Sequence, residues 1–267
     1  MKKTVPYLLL IILFVGAAWY SLMKPTDPVD ELPPPVIEQL PIDTQVQSPP
    51  TPDDTGVVYP EIEAEPVIPP EPLPQLNESD TEVKQALADI TGADLLAQYL
   101  VTDQVISRVV ASIDSLASRQ VPVHINPVLP AKGTFLVDKE DENIVMSARN
   151  FARYDGYVAL MQNMDTGLLT TFYRRYNPLF QQAWEENGGL GSFEDHMLEV
   201  IDDLLETPDV PGPVYLTKPE AVYLFEDPGL EAMTAGQKVL VRMGSANAEV
   251  VKEKLMEIRE SLKREDD

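Results

Sequence analysis

Proline placement constrains this chain more than any other feature. Of its 25 prolines, 15 fall between Pro25 and Pro74, interleaved with Asp27, Asp30, Glu31, Glu61, Glu63 and Glu65 and with no Lys or Arg. Proline withholds a backbone donor and fixes φ, and unbalanced acids repel one another, so such a stretch can bury no core. Residues 25–76 are therefore expected to be a disordered Pro-rich acidic linker with polyproline II character. At roughly 3.1 Å per residue, about 50 residues reach at most ~150 Å. A solvated tether is the plain reading. The sharper one is that Leu32-Pro33-Pro34-Pro35-Val36-Ile37 or Val67-Ile68-Pro69-Pro70 docks in a partner's groove. Folding is left to about 190 of the 267 residues, enough for one well-buried core or at most two small ones.

The N-terminal 24 residues read as an anchor. Lys2 and Lys3 precede an apolar run from Tyr7 to Met23, near the short limit for crossing a bilayer. Gly16-Ala17-Ala18 offers small residues to a signal peptidase, so a cleaved signal peptide is the alternative. Trp19, Tyr20 and Lys24 resemble an interfacial belt and favour a retained transmembrane helix. No cation follows between Lys24 and Lys84, so the positive-inside rule puts the N-terminus in the cytoplasm. The rest of the chain is then expected outside the inner membrane, which in a Gram-negative bacterium is the periplasm.

Residues 77–267 read as a single, mainly α domain with one small β-hairpin. Its organising stretch is Asp165 to Trp184, where Leu168, Leu169, Phe172, Tyr173, Tyr176, Phe180 and Trp184 recur at steps of three and four. Asp165 suits the N-cap, and Pro178 is expected to bend this helix or begin a second segment. Ser79 with Glu82 matches a capping box at the front of the domain, and Ser192 with Asp195 resembles another. Thr102 or Asp103 is expected to cap a helix running from Val105 to Leu116, and Ser147 one through Asn150 and Tyr154. Thr134–Asp138 and Asn143–Met146, around Lys139–Glu142, form the expected hairpin. Val121–Ala131 and Pro211–Pro219 read as extended links, and 220–225 suits a strand or a helical turn equally. Glu231–Met243 and Ala246–Arg264 read as two helices parted by Gly244.

Composition excludes several functions. A formal net charge of −24 argues against nucleic-acid binding, because phosphate neutralisation needs clustered cations. There is no Cys, hence no disulfide framework, thiolate metal site or Cys nucleophile. No H-E-x-x-H, G-x-S-x-G, S-x-x-K, P-loop or G-x-G-x-x-G occurs, so no catalytic residue, cofactor or metal is indicated. The histidines are His124 and His196; the latter, beside Glu194, Asp195 and Glu199, reads better as part of a solvated acidic face than as a metal site.

From residue 75 onward 17 Lys and Arg face 33 Asp and Glu, so a local Arg cluster stands out. Arg149, Arg153, Arg174 and Arg175, with Tyr154, Tyr173 and Tyr176, could form a pocket for a carboxylate or phosphate through bidentate guanidinium contacts. The plain alternative pairs each Arg with a nearby acid such as Asp155, Asp165 or Glu185. Thr234-Ala-Gly-Gln-Lys238 begins a helix whose amides suit an anion, and capping explains it as well.

Five stretches carry a family resemblance: Arg153-Tyr154, Tyr173-Arg-Arg-Tyr-x-Pro178-Leu-Phe180, Ser192-Phe-Glu-Asp, Ile201-Asp-Asp-Leu-Leu-x-Thr207-Pro208, and Ala235-Gly-Gln-Lys238-x-Leu240-x-Arg242-Met-Gly244. By these the chain resembles the bacterial family known as domain of unknown function 3014 (DUF3014), over roughly residues 74–262. The resemblance implies a membrane-anchored envelope protein and supplies no activity or catalytic residue. The expectation is a non-catalytic periplasmic module, anchored in the inner membrane through residues 7–23, that binds an envelope protein or cell-wall component through the Arg–Tyr surface. A hydrolase using a carboxylate pair on an envelope polymer, and a sensor for a small anion, are the alternatives.

Overall fold

The computed structural model describes residues 72–264 apart from positions 93, 95–96, 98, 102, 120–127, 130, 132, 164 and 220–221. The expected anchor, most of the expected linker and His124 lie outside them. The main elements in chain order are helix α1 (Asp80–Thr91), α2 (Val105–Ala117), strands β1 (Val137–Glu140) and β2 (Asn143–Met146), α3 (Asp155–Gln162), α4 (Thr166–Glu186) and α5 (Phe193–Leu205). Strands β3 (Tyr215–Thr217) and β4 (Leu224–Phe225) follow, then α6 (Pro228–Ala232), α7 (Ala235–Met243) and α8 (Ser245–Lys263). Among the described residues no helix is long and apolar enough to cross a membrane.

Helix α4 runs without a break through Pro178, contrary to the expected bend or new segment. An interior proline costs about 3 kcal/mol, but the buried side chains on both sides of it offset that. Tyr173 and Tyr176 precede it and Phe180 and Trp184 follow, all buried, and each large apolar side chain contributes roughly 2 kcal/mol. Pro178 itself is exposed to solvent. Leu168 departs from the expected apolar stripe and is exposed; Leu169 takes the core position. Asp165 caps the helix as expected, accepting from Leu168 N (3.1 Å).

The core is built around α4, which packs against α2 and α8, while α5 packs against the same two helices. Phe180 stacks on Phe193 of α5 at 5.9 Å with rings nearly parallel. Between α4 and α5 the chain turns at Gly189, where a Cβ would lie 2.0 Å from the Trp184 ring. Leu73 and Leu76, ahead of α1, already pack against this core.

Caps differ from expectation in an instructive way. Ser79 Oγ donates to Leu76 O (2.7 Å) instead of capping α1, and Glu82 accepts the Tyr176 hydroxyl (2.9 Å). Helix α2 is capped from a distance: Asp80 Oδ2 accepts from Gln104 N (2.7 Å) and Asp80 Oδ1 from Val105 N (2.9 Å). Asp103, an expected cap, pairs with Arg108 at 2.8 Å. Ser147 precedes a 3-10 helix, Ala148–Arg153, without capping it through its side chain. Ser192 does cap α5, accepting from Asp195 N.

A hairpin forms as expected, but its first strand is Val137–Glu140 and not Thr134–Asp138, so Asp141 and Glu142 alone make the turn. Strands β1 and β2 are the outer half of a four-stranded antiparallel sheet of order β1-β2-β3-β4. The added pairs join distant segments, Ile144 to Leu216 and Leu216 to Phe225. One face of the sheet forms a second small apolar cluster, in which Met146, Val214, Leu216 and Phe225 meet Val241 of α7. Helix α7 thereby serves both clusters, since Val239, Leu240 and Met243 lie in the main core.

Because Pro178 is exposed within a continuous helix, Pro178→Ala restores a backbone donor without opening a cavity. The variant is expected to be more stable by about 1–3 kcal/mol, raising the thermal midpoint by several degrees. A lower midpoint in a calorimetric melt would contradict this and show that the proline stabilises the helix.

Candidate functional site

The seven Arg and Tyr residues singled out from the sequence do not converge on one pocket. Arg149 pairs with Asp138 on β1 (2.9 Å) and donates to Ser147 Oγ (3.1 Å). Arg153 donates to Gly133 O (3.2 Å), and Arg174 to Leu262 O near the end of α8 (3.1 Å). Arg175 lies 3.7 Å from Glu82 on α1, on another side of α4. Tyr154, Tyr173 and Tyr176 are core residues. Tyr173 accepts from Asn177 Nδ2 (3.0 Å), and the Tyr154 hydroxyl has no hydrogen-bond partner among the described residues.

The remaining candidates take structural places. His196 stacks on Trp184 (4.5 Å between ring centres) with Nε2 3.1 Å from Asp114. Among the described residues no group of three His, Asp or Glu is placed to hold a metal ion. At the start of α7, Thr234 and Gln237 form a capping box, and Ala235 N donates to Ser118 O (2.7 Å). The amides proposed for an anion are therefore used within the fold.

A cleft of about 790 Å³ opens where the small sheet meets α7 and α8. Its floor is apolar, made by Met146, Phe151, Leu240, Val241 and Met243. One wall is the extended segment 207–214, in which Pro208, Val210, Pro211 and Val214 face the cleft. The other wall is the first three turns of α8, from Ser245 and Ala246 through Glu253 to Met256. Asp155, at the start of α3, closes one end.

Specific bonds hold these walls apart. Lys252 Nζ donates to Thr207 O and Ser245 Oγ to Asp209 Oδ1, tying α8 to segment 207–214 at two points. Asn247 Nδ2 donates to Phe151 O (3.1 Å) and Met243 O (3.0 Å), fixing α8 against the floor. The turn from α7 into α8 needs Gly244, whose φ is +85° and whose Cβ, if present, would lie 2.8 Å from the Phe151 ring. The cleft thus has a buried apolar floor and charged edges, with Asp155, Asp209, Glu249 and Glu253 all exposed at its lip. Its volume falls in the range of ligand and peptide sites.

No sequence motif pointed to this cleft, because its parts come from residues 146–155, 207–214 and 240–256. The available signal was the proline spacing from Pro208 to Pro213, which marks a chain segment that neither helix nor central strand can absorb. Two of the stretches behind the family resemblance meet here, one ending at Thr207-Pro208 and the other at Gly244.

A family model described as "Protein of unknown function (DUF3014)" matches residues 105–259, and the chain belongs to that family. No curated protein and no solved structure matches it.

Burial holds the phenols of Tyr154 and Tyr173 well above the usual tyrosine range, and pushes Tyr157 and Tyr176 up to about 12. At Tyr176 the hydrogen bond to Glu82 adds to the burial effect. Each folded-state pKa lies above its unfolded value, so the stability these groups contribute is complete below pH ~10 and is lost as pH rises through ~12. Alkaline titration followed by phenolate absorbance and far-ultraviolet dichroism is expected to show these tyrosines ionising together with loss of helix. Ionisation of all ten tyrosines near pH ~10 with helix intact would contradict their core placement.

Proposed function

We propose that this member of the DUF3014 family is a non-catalytic interaction module that docks an envelope protein in the cleft between segment 207–214 and α8. In this reading residues 7–23 hold the chain in the inner membrane, and the Pro- and acid-rich stretch 25–76 sets the domain away from the bilayer on the periplasmic side. The observation that carries the reading is the cleft itself, in which exposed Pro208, Pro211 and Met256 and half-buried Phe151 and Val210 stand over a buried apolar floor, on a domain whose other large apolar residues are mostly buried. An open apolar depression rimmed by charge is the usual form of a protein contact site.

The two alternatives have less behind them. A hydrolase needs a carboxyl group desolvated enough to stay protonated beside one that stays ionised, and the four carboxylates of the cleft are at its exposed lip. An anion sensor needs converging guanidinium groups, whereas Arg149 and Arg175 face acids and Arg153 and Arg174 donate to backbone carbonyls.

Site-specific photocrosslinking in cells tests the proposal. A photoreactive side chain at Met256, in the cleft, is compared with one at Leu190, which is 90% exposed on the loop after α4. The expected result is a discrete adduct with one envelope protein from Met256 only, lost when Ala246→Trp fills the cleft in the same chain. Equal adducts from both positions, or an adduct that survives Ala246→Trp, would overturn it.

A further inference from the structure

Resting on the cleft reading above, we infer that the occupant is a polypeptide segment with apolar anchor residues flanked by Lys or Arg. The floor sets the first requirement. Met146, Phe151, Val241 and Met243 offer no side-chain hydrogen-bonding partner of strength, so a polar segment would lose its water there without compensation. Met256, exposed on the α8 wall, adds a second property, since an unbranched thioether side chain re-packs around differently shaped anchors.

The lip sets the sign of the flanking charge. Four carboxylates, Asp155, Asp209, Glu249 and Glu253, surround a floor served by one cation, Lys252. That ammonium is directed to the Thr207 carbonyl, away from any incoming ligand. Above an apolar, low-dielectric floor the field of such a lip is focused, and it attracts cationic groups while repelling anionic ones. Fatty acids, anionic lipid head groups and nucleic acid are disfavoured on that ground. So is the chain's own stretch 25–76, which holds eleven Asp and Glu and no Lys or Arg.

Shape favours a length of chain over a small cation. The α8 wall runs from Ser245 to Met256, about 16 Å at 1.5 Å per residue. That matches about three turns of helix or about five residues of extended chain. Anchors would enter between Met243 and Val210, with basic side chains reaching Glu249 and Glu253 on one side and Asp209 on the other.

The test uses the full chain in neutral-lipid nanodiscs and three fluorescent peptides of equal length. One alternates Leu with Lys in an amphipathic pattern, one replaces Lys with Glu, and one replaces Leu with Ser. Fluorescence anisotropy is expected to show binding of the Leu/Lys peptide about tenfold or more tighter than the other two, weakening as salt is raised. Ala246→Trp, which leaves the charge unchanged, is expected to abolish the binding. Glu249→Lys with Glu253→Lys is expected to reverse the preference towards the Leu/Glu peptide. Equal binding of the Leu/Lys and Leu/Glu peptides, both lost in Ala246→Trp, would overturn the charge inference while leaving the cleft as the docking site. Binding of the Leu/Lys peptide unaffected by Ala246→Trp would overturn the inference together with the cleft reading. Equal binding of the Ser/Lys peptide would also sink it, as attraction to an acidic surface and no more.

Discussion

The junction between the helical core and the small sheet depends on a buried ion pair. Helix α7 is enclosed by α2, α5 and α8 and by the sheet cluster, yet it carries Lys238 and Arg242 one turn apart. The Glu231 carboxylate meets Lys238 at 3.0 Å, and the Glu231 carbonyl accepts from its ammonium at 3.2 Å. The same carboxylate accepts Phe225 N (2.8 Å), so one acid ties α6, α7 and β4 together. Arg242 lies over the Phe225 ring at 4.6 Å, and burial draws its guanidinium pKa down to about 10, which leaves it charged at neutral pH. Removing one partner of such a pair costs about 3–5 kcal/mol, because the other charge is stranded. The position of β4, and through it the floor of the cleft, rests on this arrangement.

What the sequence revealed and what it hid follow from range. The aromatic face of α4, the Asp165 cap and the second hairpin strand are signals carried by residues within a few positions of one another, and each appears in the fold. The Asp80 cap on α2 acts across 24 and 25 residues, and Thr102 and Asp103 were the nearer guesses. Strands β3 and β4 have three and two residues and sit among prolines, too short for a period to register. Pairing of β3 with β2, and of β4 with β3, makes them strands. The Arg–Tyr set is dispersed because neighbouring positions on helices diverge, sending Arg174 to α8 and Arg175 to α1.

The cleft is a consequence of two features that are each unremarkable alone. A turn at Gly244 brings α7 and α8 together at an angle, and a Pro-rich strand-like segment passes beside them without filling the space. Bonds from Lys252, Ser245 and Asn247 then fix the separation. The energetic logic is that of a site held open by polar struts around an apolar base. Apolar wall residues such as Pro208, Pro211 and Met256 are worth exposing above it only where something covers them, since burying an apolar side chain is worth roughly 2 kcal/mol.

The proposed working surface of the domain is this cleft. Hydrogen exchange on the full-length protein in its native membranes, compared with the purified chain, tests it most directly. Occupation by a partner is expected to slow exchange in segment 207–214 and in the first three turns of α8, with the exposed face of α5 unchanged. Slowing confined to α5 or to the surface around Arg174 and Arg175, with the cleft walls exchanging as in the purified protein, would contradict it.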